Sequence, residues 1–176
     1  AGAAGRAGTG EPMRTVAVYP GSFDPPTNGH LDIIERSSRV FSRVIVAVAV
    51  NLRKNAYFTP GERVRMLKRL TRTMGNVEVT SFRGLLVQFA REQEAHVLVR
   101  GIRAISDFEY EYQMAHMNRK LDQKIDTVIM MTGERHSAIS SNIVKEIAMF
   151  GGKIDDLVPP SVRDVLLKKL KGAKRQ

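Results

Sequence analysis

Residues 21–30 read G-S-F-D-P-P-T-N-G-H. Two glycines and a proline pair let this backbone turn sharply and approach a ligand closely, and the stretch ends on His30, whose imidazole can donate a hydrogen bond to a phosphate oxygen. A β-rich run, T-V-A-V-Y at 15–19, stands before it. After it Leu31, Ile34 and Phe41 fall on one helical face, so the segment joins a strand to a helix. The first N–H groups of a helix lack partners within it and the macrodipole favours negative charge there, which makes the junction an anion site. Neither common nucleotide fingerprint is present. Residues 21–29 do not fit G-x-G-x-x-G, and G-G-K-I at 151–154 lacks the spacing and hydroxyl of a phosphate-binding P-loop.

The elements that must position this turn alternate along the chain. Strand-like runs lie near 14–19, 43–50, 76–81, 96–100 and 125–131, with helix-like segments near 29–41, 60–74, 84–94, 106–121, 140–150 and 159–171. Two helix starts carry the capping-box pattern, T-P-G-E at 59–62 and S-D-F-E at 106–109. The run V-I-V-A-V-A-V at 44–50 is apolar on both faces, as a parallel strand covered by helices on both sides requires. The predicted fold is α/β, a Rossmann-like doubly wound parallel sheet of about five strands with C-terminal helices. In such a sheet ligands bind outside the carboxyl ends of the strands. Segments 21–30, 51–55 with Lys54, 82–86, 100–103 and 133–142 each follow a strand, so five polar or glycine-rich stretches should meet on one rim.

Composition bounds the rest. The 176 residues and 43% hydrophobic content suit one domain spanning 13–171, with a small-residue linker at 1–12 and a basic tail at 172–176. There is no cysteine, which excludes disulfides and thiolate metal sites. The longest apolar run, 44–50, is too short to span a bilayer, so a cytoplasmic protein without a membrane partner is expected. The net charge is +10, and half of that excess falls in 163–176, with six basic residues against one acidic. A solvated terminal helix accounts for that part, and the remainder suits a substrate carrying several phosphates.

Four motifs stand in order: P-G-S-F-D-P-P-T-N-G-H at 20–30, R-G-I-R-A at 100–104, D-F-E-Y-E-Y-Q-M-A-H-M-N at 107–118 and I-S-S-N-I-V-K-E at 139–146. Together they resemble the phosphopantetheine adenylyltransferases, nucleotidyltransferases marked by a T/H-x-G-H signature, over roughly residues 14–170. The resemblance implies transfer of the adenylyl group of ATP to 4′-phosphopantetheine, giving dephospho-coenzyme A and pyrophosphate, with Mg²⁺ delivered on ATP and a homohexameric assembly. The attacking phosphate oxygen is already an anion, so alignment and charge neutralisation carry such a reaction rather than a strong base.

By the same resemblance His30 meets the α-phosphate, Lys54 and Arg100 meet the attacking phosphate, and Arg103 meets the nucleotide phosphates. Ser22 holds the hydroxyl that many relatives supply from threonine, where the phosphates of both substrates meet. Leu86, Tyr110 and Asn118 belong to the phosphopantetheine side. Phe23, Gly101, Ile102, Glu111 and the run His136, Ser137, Ala138, Ile139, Ser140, Ser141 and Asn142 belong to the ATP side. Two positions depart from the family pattern: His136 replaces an aromatic residue and Asn142 a serine. An imidazole can still stack on adenine, and an amide can still donate to phosphate.

Read without the resemblance, Ser140 and Ser141 suit helix capping, Phe23 and Leu86 suit packing, and Asp107 suits a solvated helix face. No cluster has structural metal spacing, so no protein metal site is expected. Other nucleotidyltransferases, such as cytidylyl- or nicotinamide mononucleotide adenylyltransferases, would share the first motif but lack the second and third. A basic nucleic-acid binder is supported by charge alone, and the aromatic-interleaved basic stripe of a single-strand binder is missing.

Overall fold

The protein is described by a computed structural model covering residues 15–51, 56–136 and 139–173. The small-residue stretch 1–12, Lys54, Ser137, Ala138 and the last three tail residues lie outside the described residues. Five strands, β1 (Val16–Gly21), β2 (Arg43–Ala49), β3 (Val77–Phe82), β4 (Val97–Ile102) and β5 (Asp126–Met131), form one all-parallel sheet in the order β3-β2-β1-β4-β5. The sequence predicts this architecture. Successive strands build outward from β1 on one side and from β4 on the other, so the direction of winding reverses between β1 and β4 and leaves a crevice at their carboxyl ends.

Burial along the strands explains the order. β1 and β2 are buried at every interior position, whereas β3 and β5, at the edges, carry exposed residues among buried or half-buried ones. Side chains of period two then divide between two cores. Ala17, Tyr19, Val44, Val46, Val48 and Val99 pack against α1 (Asn28–Val40) and α2 (Pro60–Leu70) through Ile33, Ile34 and Leu67. Val18, Ile45, Ala47 and Leu98 point the other way, against Val87, Phe89 and Ala90 of α3 (Leu86–Glu92). A third cluster joins Phe58 and Met66 to α5 (Ser141–Met149) and α6 (Pro160–Ala173) through Val144, Val162 and Leu166.

Several boundaries differ from the sequence reading, each for a local reason. On α1 it is Ile33 with Ile34, rather than Leu31, that is fully buried. α2 stops at Leu70 instead of continuing to 74, because the Thr71 hydroxyl donates back to the Leu67 carbonyl at 3.1 Å and competes with further helix. α3 is trimmed between Gly84 and Glu94, both at positive φ. The T-P-G-E box at 59–62 forms in full, but the S-D-F-E box does not. α4 (Ile105–Leu121) begins one residue early, with Ala104 at the cap and no side-chain cap, because the Asp107 carboxylate accepts instead from the Arg103 backbone N–H at 3.0 Å.

α6 is also no solvated tail helix. Val162 and Leu166 are fully buried, and Lys169 reaches α2, pairing with Glu62 at 2.9 Å above the Phe58 ring.

Candidate functional site

The loop from β1 to α1 is built around its own side chains. Gly21 is the last residue of β1, and glycine is needed there because a Cβ would stand 2.9 Å from the Phe23 ring. Phe23 has φ of 48°, a conformation that drives its side chain inward, and it is fully buried edge-on to Tyr19 and His30 with ring centroids at 5.4 and 5.0 Å. The ring therefore props the imidazole from behind, and its side chain does not line the nucleotide site as the resemblance implied.

Thr27 caps α1 in a reciprocal arrangement. Its hydroxyl oxygen accepts the His30 N–H at 3.3 Å, while its own backbone N–H donates to His30 Nδ1 at 3.0 Å. Histidine here takes the place of the usual glutamate of a capping box. Because Nδ1 accepts from a backbone N–H, it carries the lone pair and the ring proton resides on Nε2. Burial, aided by the positive charge of Arg103, pulls the His30 pKa down to about 4. At neutral pH the ring is an uncharged Nε2–H donor.

That donor belongs to the smaller of two adjoining cavities at the crevice, of about 320 Å³. The amino ends of two helices contribute to its wall, α1 through Gly29 and His30 and α5 through Ser140, Ser141 and Asn142. Ser140 spends its hydroxyl as the α5 cap, accepting from Ile143 N at 3.1 Å, and Ser141 donates to the Pro25 carbonyl at 2.8 Å. Gly101 stands in the same wall, where a Cβ would press within 3.1 Å of Ile33. Arg103 completes it, held by Asp107 at 3.1 Å and reaching the Ile139 carbonyl at 3.4 Å. Burial pushes the Asp107 carboxyl up, but its hydrogen bonds from Arg103 outweigh that and keep it below its ordinary value.

The larger cavity, of about 670 Å³, opens on the other side of a shared wall. Ser22, Arg100, Glu111, Ser141 and Asn142 line both spaces. Arg100 forks onto Glu111 with two bonds of 2.6 Å and donates to the Pro20 carbonyl at 3.1 Å. Burial opposes the Arg100 charge, and the Glu111 fork more than restores it. Arg100 and Glu111, which the resemblance divides between the two substrates, form one partition facing both cavities. Leu86, Tyr110, Met114 and Asn118 line the far part of the larger cavity.

The side chains of two predicted residues are not in the lining of either cavity. Ile102 lines an apolar recess with Ile105, Phe108 and Met131, and the recess shares Arg103 and Thr132 with the smaller cavity. His136 ends a short 3-10 turn, Glu134–His136, with its Cβ close to Gly29 and its Nδ1 buried without a partner among the described residues. Sequence reasoning missed Arg63, Asp24 and Lys145, all of which line the larger cavity. Asp24 is 6% exposed, accepts from Tyr57 N and Phe58 N at 2.8 Å each, and pairs with Lys145 at 3.1 Å. Two of these lay inside quoted motifs, Asp24 in the turn and Lys145 in I-S-S-N-I-V-K-E, so their charge next to phosphate-binding segments was the available signal.

A cytidylyltransferase-like family model matches residues 18–147. The chain is 53% identical over 157 residues to a phosphopantetheine adenylyltransferase of Natranaerobius thermophilus, covering 89% of this chain and 96% of that one. It is 52% identical over 154 residues to the one of Clostridium novyi, covering 87% and 96%.

The chain belongs to the phosphopantetheine adenylyltransferase family. A solved structure from Vibrio parahaemolyticus, assigned as a nicotinate-nucleotide adenylyltransferase, shares the fold with a TM-score of 0.67 at 18% identity, covering 90% of this chain and 95% of that one. The phosphopantetheine adenylyltransferase motifs thus map onto the two cavities and the partition between them, with the Ile102 and His136 side chains outside.

The tautomer is directly measurable. Imidazole nitrogen shifts should show His30 neutral and protonated on Nε2 from about pH 8 down to about pH 5, against an ordinary midpoint near 6.5. Because the folded pKa lies below the unfolded value, the unfolded chain takes up this proton first. His30 therefore contributes stability that is present above about pH 6.5 and lost as pH falls toward 4. Titration near 6.5, or a proton on Nδ1, would contradict the cap geometry.

Proposed function

We propose that the protein transfers the adenylyl group of ATP to 4′-phosphopantetheine, forming dephospho-coenzyme A and pyrophosphate. Membership of the family supports the reaction, and the observation that carries the geometry is the junction at Ser22, an exposed residue in the wall of both cavities. The smaller cavity, with two helix amino ends, Arg103 and the Nε2–H of His30, takes the ATP phosphates. The larger one takes the acceptor, its arm against Leu86, Tyr110 and Met114 and its phosphate toward Ser22 and Arg100.

A phosphate oxygen of the acceptor forms the new bond to the α-phosphorus, and the bond from that phosphorus to the bridging oxygen breaks, releasing pyrophosphate. No proton need be removed from the nucleophile. His30 therefore acts as a neutral donor to the α-phosphate, where charge grows in the transition state, which suits a ring held uncharged at physiological pH. Arg103 neutralises the nucleotide phosphates, and Lys54, which follows β2, adds a second cation to the attacking phosphate. Ile139, Ser140, Ser141 and Asn142 serve the nucleotide through the start of α5. Among the described residues no three His, Asp or Glu side chains gather to cage a metal. Mg²⁺ suits this donor set as an ion carried on ATP, keeping most of its waters and neutralising the triphosphate.

The reading extends to assembly and location. Ile105 is 92% and Met131 71% exposed, and they share an apolar recess with Phe108, which supports self-association, as a homohexamer by family resemblance. No helix among the described residues is long and apolar enough to cross a membrane, and the reading places the enzyme in the cytoplasm, where ATP is supplied.

Two measurements test this. With ATP, Mg²⁺ and 4′-phosphopantetheine the protein should release pyrophosphate, and His30→Ala should lower kcat by about 100-fold or more, the loss typical of one preorganised donor. Turnover equal in the two proteins would remove His30 from the chemistry. Sedimentation equilibrium should give a mass near six chains, and a monomer at micromolar concentration would overturn the assembly.

A further inference from the structure

Arg63 lies in α2, a helix whose buried stripe otherwise consists of Met66 and Leu67. It is 3% exposed, and its Nη1 donates to the Ser22 carbonyl at 2.6 Å and to the Ala49 carbonyl at 3.3 Å. Its Nε is buried with no partner among the described residues. Among the described residues no carboxylate pairs with it, since the neighbouring Asp24 is engaged by Tyr57, Phe58 and Lys145. A buried guanidinium left in this way is costly and is retained where its charge is used.

The charge balance of the larger cavity shows where it is used. Its described lining holds three cations, Arg63, Arg100 and Lys145, and two carboxylates, Asp24 and Glu111. Glu111 is taken by Arg100 and Asp24 by Lys145. The described lining thus keeps one net positive charge, and Arg63, which feels Asp24 only at a distance, is its cation without an ion-pair partner, directly behind Ser22, one of the residues that line both cavities.

We infer that Arg63 is a positioning residue for the acceptor: it clamps the Ser22 carbonyl from behind and makes that end of the larger cavity electropositive, so that the phosphate monoester is selected over the same arm without it. The inference rests on the acceptor reading above. Being enclosed, Arg63 acts through the Ser22 turn and through its field, without touching the substrate. A purely structural arginine would support both ligands alike.

The test compares binding of 4′-phosphopantetheine and of unphosphorylated pantetheine by calorimetry, alongside thermal melts, for wild type, Arg63→Met, Arg63→Gln and Arg63→Lys. The neutral variants should weaken the phosphorylated ligand by about tenfold or more while leaving pantetheine within about twofold, and Arg63→Lys should recover most of the preference. In turnover the neutral variants should raise KM for 4′-phosphopantetheine more than they lower kcat. Equal weakening of both ligands, or no change in either, overturns the inference. If neither neutral variant melts cooperatively, Arg63→Lys decides: a preference kept within about threefold supports the role of charge, and a larger loss refutes it. A wild-type protein that binds neither compound would instead sink the acceptor reading. Arg63 would then be judged by affinity for inorganic phosphate, wild type against Arg63→Met, with equal affinities refuting it.

Discussion

The bond from the Thr27 backbone N–H to His30 Nδ1 sets the chemistry of the whole crevice. A donor on that side forbids a second proton there, so the imidazole is held as a neutral Nε2–H group. Thr27 is 2% exposed and caps the helix that carries His30, so the geometry of the cap and the protonation state of the ring cannot be changed separately. Gly21, the inward turn of Phe23 and the edge of its ring then appear as parts of one support, which holds the imidazole from the protein side. A ring that must donate to a phosphate gains from being fixed before the substrate arrives, because no reorganisation is then needed during the reaction.

Electrostatics divide the crevice into two halves that share a partition. The Arg100–Glu111 fork cancels most of its own charge and works as a rigid, polar wall, tied to β1 through the Pro20 carbonyl. Cationic character stands on either side of that partition, from Arg103 in the smaller cavity and from Arg63 behind the Ser22 turn in the larger. Two helix amino ends add to it without adding side-chain charge. This arrangement fits an attack by one phosphate on another, in which repulsion between the reactants is the principal obstacle.

How much of this could be read from the sequence follows from what each signal measures. Strands apolar on both faces gave away a parallel sheet, and chain order alone placed the turn at 21–30 and the R-G-I-R-A segment on one rim, because the turn follows β1 and R-G-I-R-A forms the end of β4, the two strands flanking the winding reversal. The Thr59 cap was legible because its partners are three residues apart. The cap expected at Ser106 failed because Arg103, outside the four-residue pattern, claims Asp107. Phe23 was assigned to a ligand wall because a motif does not record the direction a side chain takes at positive φ. Ile102 and His136 show the same limit, since a motif places a segment while their side chains lie outside the linings of the two cavities. Arg63 and Lys145 escaped because helical periodicity assigns charged residues to the solvent face, whereas here they are directed at a polar cavity. The C-terminal helix was misjudged for the same reason: its basic residues dominate the composition, while Val162 and Leu166 hold it in place.

The central claim is adenylyl transfer to one particular acceptor, and a mononucleotide, the acceptor of other nucleotidyltransferases that share the first motif, is the relevant competitor. The direct measurement is the fate of the label when ATP labelled at the α-phosphorus is offered with 4′-phosphopantetheine and, in parallel, with nicotinate mononucleotide. The account predicts label in a product that co-migrates with dephospho-coenzyme A, unlabelled pyrophosphate, and no labelled dinucleotide. Label in the dinucleotide with none in dephospho-coenzyme A would contradict it.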